Sequence, residues 1–216
     1  MTSDKLIRLS GLMCIFTGVL LFLWWGLMGM IMPAGAENFS MLEMVKSDRW
    51  LPVNTIGCIA VVLLPLALIG LYVRQIAAVK IVGLVGFLLA FSGSLLYVWL
   101  QVEESILWPI LAVHAPALID MSGPMFMNPA FSFTYMLMGL LFIPGLLILG
   151  AATIHAGILP RWGAVLFTIG GPLFGIGGTL FVVRTIGVIL FMAGLVWLGL
   201  ALWRETATNM NHNRKE

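Results

Sequence analysis

Charge is what this sequence has least of. Lys and Arg number 11 and Asp and Glu 9 in 216 residues, 9% of the chain, where a soluble domain carries about a quarter. That scarcity excludes an ordinary soluble domain, and a mean hydropathy of +1.09 makes the chain an integral membrane protein. The net charge of +2 is scattered, with no basic cluster interleaved with aromatics, which sets nucleic acid aside. Histidine is scarce too. There is no His-Glu-x-x-His and no pair of histidines one helical turn apart, so spacing dictates no metal site, and no motif implies a cofactor. The two cysteines, Cys14 and Cys58, fall early in two consecutive apolar runs that should cross in opposite directions. Their different depths exclude a disulfide, and they read as small buried hydrophobes. No small-residue cleavage site follows the first apolar run, which is therefore a retained span rather than a signal peptide.

What remains is apolar runs long enough to cross a bilayer, which needs about 20 residues. They predict an all-α polytopic membrane protein of six transmembrane helices, at about 9–32, 51–73, 81–100, 131–152, 164–183 and 185–203. These form one transmembrane domain over 1–216, with 204–216 as a polar tail. Pro33, Gly35 and Asn38 end the first helix, and a polar loop with Glu37, Glu43, Lys46, Asp48 and Arg49 follows. Ser47 or Asp48 is placed to cap the second helix, with Pro52 in its first turn. Pro65 and Pro144 lie inside helices and predict kinks. Residues 74–80 form a short return. Ser92, Gly93 and Ser94 suit close helix contact, and Tyr97 and Trp99 mark an interfacial aromatic belt. The segment AGILPRWG, 156–163, turns the chain, and Arg184 separates the last two helices. A basic residue shortly before glycine opens several helices, a pattern too generic to establish an internal repeat.

Basic residues gather on the cytoplasmic side of short loops. With the N-terminus inside, Lys5, Arg8, Arg74, Lys80, Arg161, Arg204, Arg214 and Lys215 lie inside, and Lys46, Arg49 and Arg184 outside, eight against three. Both termini are thus expected in the cytoplasm. Six acids, Glu37, Glu43, Asp48, Glu103, Glu104 and Asp120, fall on the outer face.

Polar chemistry concentrates in VEESILWPILAVHAPALID, 102–120. Pro109 and Pro116 interrupt helix there, so the segment is expected to leave the third helix and lie on the outer interface as a cover, with Trp108 at headgroup level. Candidate ligand-binding residues are Glu103, Glu104, Trp108, His114 and Asp120, with the amides Asn54 and Gln101 near the same ends of their helices. The carboxylates and the imidazole are the types that share a proton or bind a cation. Other readings stay open: interfacial carboxylates in water, or a pairing of one glutamate with Lys46 or Arg49. Adjacent glutamates on an α-helix point about 100° apart, so at most one readily faces inward. Asn54 and Gln101 are as well explained by helix-to-helix hydrogen bonds, and His155 by an interfacial position. Gly171 and Gly175 make a small-xxx-small pair that suits internal packing, a homodimer face or a broken helix lining a cavity. Met121, Met125 and Met127 offer adaptable apolar surface. No ionisable side chain lies in the middle third of any predicted span, which weighs against ion-coupled transport.

An acid just after the third helix, then WPILAVHAPALID, AGILPRWG between the fourth and fifth helices, and a last helix ending in ALWRE together resemble a group of bacterial six-span integral membrane proteins of unknown function. The resemblance implies a bacterial plasma membrane location and points to Glu103 or Glu104, Pro109, Pro116, Pro160, Arg161 and Trp162. It carries no reaction or cofactor. The expected role is non-catalytic: binding of a lipid or small amphiphile, or docking of a membrane partner, at an acidic outer-face pocket. The alternatives are a membrane-embedded enzyme on a lipid-soluble substrate using Glu103, Glu104, His114 or Asp120, and a small transporter or channel.

Overall fold

A computed structural model describes residues 3–31, 41–120, 122–176 and 181–212. Among them there are helices and no strand. The helices are α1 (Ser3–Met28), α2 (Met41–Val45), α3 (Trp50–Val102), a π-helix (Glu103–Leu107), α4 (Trp108–His114), a 3-10 turn (Pro116–Leu118), α5 (Pro129–Ala156), α6 (Arg161–Ile176) and α7 (Phe181–His212). Pro33, Gly35, Glu37 and Asn38 of the first loop, Met121, Gly177, Arg214 and Lys215 lie outside the described residues.

Among the described residues four helices, not six, are long and apolar enough to cross a membrane: Lys5–Met28, Trp50–His114, Pro129–Ala156 and Val182–Arg204. Two local features account for the correction. The return expected at 74–80 is itself helical, so the predicted second and third helices are joined in one run, and only Lys80 departs from helical angles (φ 49°, ψ −146°). The predicted fifth helix appears as α6, of which 16 residues are described, fewer than the roughly 20 a crossing needs. The Trp50–His114 run doubles back at Lys80: Tyr72 and Phe87 stack with ring centroids 4.6 Å apart, which a straight helix, rising about 1.5 Å per residue, would forbid. The outer cover is corrected as well. Instead of leaving the bundle, the chain past Val102 stays helical through His114. Pro65 and Pro144 sit within α3 and α5 without a non-helical residue beside them, and α7 continues to His212 where a polar tail was expected.

The turns follow their local chemistry. Asn128 caps α5 by accepting from the backbone N–H of Ala130 (3.0 Å) and Phe131 (3.4 Å), with Pro129 opening the helix where a missing N–H costs nothing. Gly157, at φ 64°, ends it in the left-handed conformation.

Neighbouring helices close a ring, α1 on α3, α3 on α5, α5 on α6, α6 on α7 and α7 back on α1. In lipid, packing rather than apolar burial drives such contacts, and small residues let backbones approach. A methyl group at Gly145 would overlap the backbone of Ala90, one at Gly93 that of Phe142, and one at Gly187 that of Phe174. Leu68, Leu71, Leu146, Leu149, Phe167 and Phe191 fill the interior. Phe16, Phe22, Ile81 and Val113 are exposed, a pattern suited to lipid.

Candidate functional site at the Trp108 end

The π-helix sets the site. Trp108 N–H bonds back five residues to the Glu103 carbonyl, and in that register the Glu104 carbonyl faces Pro109, which has no N–H to give. The Trp50 indole Nε1 donates to that carbonyl at 2.9 Å, and the Trp50 and Trp108 rings stack at 6.2 Å with 13° between planes. Single π turns inside longer helices are frequent at functional sites. Here the wider turn brings both glutamates into the protein, where an α-helix would bring one: Glu103 is 7% exposed, and Glu104 is half-buried within electrostatic reach of Arg184. Solvated interfacial carboxylates are not what forms, and neither Lys46 nor Arg49 acts on them.

Trp108 Nε1 donates to Glu103 Oε1 at 3.2 Å. The other oxygen, Oε2, is buried with no hydrogen-bond partner. Three more buried atoms share that condition nearby: the hydroxyls of Tyr97 and Tyr135, and Nε of Arg184. Tyr135 lies within electrostatic reach of Glu104, Glu103 and Tyr97. Tyr97 lies beside the Arg184 guanidinium. Burying polar groups unpaired costs about 1–3 kcal/mol each, so four at one end of a bundle mark a place shaped for something other than stability alone. Arg184 is in the first turn of α7 and not in a loop. Its guanidinium carbon sits 4.9 Å from the Trp25 ring centre, 5.5 Å from Phe174 and 6.0 Å from Trp24, within the range of cation–π attraction.

The amides are brought together but serve each other. Asn54 Oδ1 accepts from Gln101 Nε2 (3.0 Å) and from Trp24 Nε1 (3.3 Å), while Asn54 Nδ2 donates to the Trp50 carbonyl (3.0 Å). Below them, Ser105 Oγ donates to the Gln101 carbonyl at 2.6 Å, and Cys58 Sγ is 3.1 Å from Ser105 Oγ. Cys14 bonds the Ala67 carbonyl, and both cysteines are free thiols.

His114 and Asp120 are exposed, and neither acts on Glu103 or Glu104. Asp120 is occupied locally: Ser122 donates to its Oδ1 from the hydroxyl (2.7 Å) and the backbone N–H (2.9 Å), which holds its carboxyl below the ordinary aspartate value. The group that acid–base or metal chemistry would need is therefore not assembled, and among the described residues no three His, Cys, Asp or Glu side chains gather as metal ligands. His155 Nδ1 is 3.2 Å from the Ala151 carbonyl, a local contact on its own helix. Gly171 and Gly175 face Leu146 and Ile143 of α5, so that small-residue pair is used inside the chain.

The residues missed in the sequence are Arg184, Tyr97, Tyr135, Trp24, Trp25 and Trp50. Arg184 was visible as a lone basic residue between apolar runs; Tyr97 was assigned to the aromatic belt, whereas its ring packs inward between Phe142 (5.8 Å) and Phe174 (5.7 Å). A groove of about 450 Å³ runs beside the π-helix, lined by Trp99, Val102, Ile106, Leu107, Ile110, Met125 and Phe131, with Glu103 its one charged residue. No family model, curated protein or solved structure matches this chain.

Proposed function

We propose that this multi-span membrane protein is a non-catalytic binder of a lipid or small amphiphile, which lays its apolar part in the groove beside the π-helix and its polar part against Glu103. One observation carries the reading: Glu103, the one charged residue lining an otherwise apolar groove, keeps a buried carboxylate oxygen without a partner. Ligand sites are mostly apolar with a few placed polar groups, and a membrane-facing groove admits a ligand straight from the bilayer. Met125, unbranched and adaptable, lines the same groove and can repack around a ligand.

The test is photolabelling of the full chain in lipid nanodiscs with a diazirine-bearing alkyl amphiphile. Adducts concentrated on Val102, Ile106, Ile110 and Met125, competed by unlabelled amphiphile and lost in Ile106→Trp, support the reading. Adducts spread equally over the lipid-facing groove between α1 and α7, at Phe22, Ile189 and Trp197, overturn it.

A further inference from the structure

We infer that the head group taken at Glu103 is a cation, the protonated amine of a lipophilic amine. The inference rests on the amphiphile reading above and names its ligand class. Charge is the first argument. Glu103 and Glu104 supply two carboxylates, and Arg184 is the cation that acts on this cluster. Its charge acts on Glu104 and Tyr97, whereas among the described residues Glu103 is acted on by burial and the Trp108 hydrogen bond. An ionised carboxylate kept from water is costly unless a counter-charge reaches it. The site lacks one positive charge, and an arriving ammonium supplies it.

Hydrogen-bond capacity is the second argument. An ammonium head offers three N–H donors and no acceptor. The vacant atoms nearest Glu103, its own Oε2 and the Tyr135 hydroxyl oxygen, are both able to accept. A carboxylate or phosphate head would instead face two carboxylates, and an alcohol would bring a single donor and no charge. The third argument is the wall. Trp108, Phe126, Phe131 and Tyr135 form a linked set of rings, at 5.8 Å from Trp108 to Phe126, 5.3 Å from Phe126 to Phe131 and 5.0 Å from Phe131 to Tyr135. Phe131 also lines the groove. Ring faces beside a carboxylate favour organic cations, while the groove takes an alkyl chain. The same surroundings disfavour a hydrated metal ion, because the vacant ligands beside Glu103 are one carboxylate oxygen and one phenol.

The experiment titrates the full chain, held in phosphatidylcholine nanodiscs at pH 7, with dodecylamine, dodecanol and dodecyl sulfate, following tryptophan fluorescence. Dodecylamine is expected to bind saturably and about tenfold or more tighter than dodecanol, in line with the strength of charge-assisted bonds, with no competition from dodecyl sulfate. Glu103→Gln is expected to erase the difference between amine and alcohol. Tyr135→Phe, a milder change that guards against misfolding of the first variant, is expected to weaken dodecylamine alone. If amine and alcohol bind alike and Glu103→Gln alters neither, the cation assignment fails while the amphiphile reading stands. If none of the three saturates and the photolabel is spread evenly, both fail together.

Discussion

The seam between α3 and α5 and the Trp108 end of the bundle are built on opposite principles. Along the seam, backbones meet through glycine, and the space is filled: Gly145 lies on Ala90 and Gly93 on Phe142. At the Trp108 end, large aromatic and polar side chains meet, and Glu103, Tyr97, Tyr135 and Arg184 each keep a buried polar atom unpartnered. Close backbone packing is how a membrane protein gains stability where lipid tails are as apolar as its own surface. Unpaired buried polar atoms spend it, and they persist where function maintains them. The seam holds the chain together, and the far end is where the proposed ligand site lies.

The sharpest way to break this comparison is to crowd the seam. Gly145→Val drives a branched side chain into the Ala90 backbone, and overpacking of that kind costs about 1–3 kcal/mol or more. Thermal unfolding in detergent should show a clear fall. Gly139→Ala, on the same helix with nothing within 4 Å of the added carbon, should change stability by less than about 0.5 kcal/mol. Equal behaviour of the two variants would mean that the seam is not the close approach described.

A second, smaller effect separates satisfied from unsatisfied polar groups at the Trp108 end. Asn54→Ala leaves the Trp24 indole and the Gln101 amide without their acceptor and should cost about 1–3 kcal/mol, with an Asn54–Gln101 coupling of about 0.6 kcal/mol, up to about 1.7, in a double-mutant cycle. Glu103→Gln keeps an acceptor for Trp108 while removing a charge without a counter-ion, so stability should hold or rise. A loss at Glu103 as large as at Asn54 would show that both are structural.

Much of this architecture was legible in the chain, and the parts that were not have specific causes. The helical membrane class follows from apolar runs; the start of α5 follows from Asn128 and Pro129, and its end from Gly157 before Pro160. The span count was misjudged because the break between the two limbs of α3 is confined to Lys80, a residue with no turn preference, while the neighbours expected to form a return favour helix. Pro109 reads in the sequence as a helix breaker. It is tolerated because the π turn and the Trp50 indole satisfy the carbonyl it leaves. Glu103, Glu104 and Trp108 stand out in the sequence as the densest polar stretch, and Tyr97 lies on the same run, but Tyr135 and Arg184 come from other helices. Only the closing of the ring, α6 on α7 and α5 on α3, brings them together. His114 and Asp120 were grouped with the glutamates by proximity in sequence, and the helical path to His114 carries them away from that cluster.

Asp120 provides the finest test of the comparison, since it is an acid at the same end with its bonds already made. Its carboxylate accepts from the Ser122 hydroxyl and N–H, so its folded pKa lies below the ordinary value of 3.8. A depressed carboxylate pKa stabilises the fold above the unfolded value and loses that contribution as pH falls through the folded one. The group is fully exposed, so the change should be confined to the 120–122 turn: carbon-detected NMR should show Asp120 titrating below pH 3.8, with the Ser122 amide following the same curve. Asp120→Asn should abolish that transition and leave amphiphile binding in the groove unchanged, whereas Glu103→Gln should do the reverse. If Asp120→Asn instead weakened binding as much as Glu103→Gln does, the acids of this end would act as one outer-face cluster, and the distinction between paired surface acid and unpaired buried acid would fall.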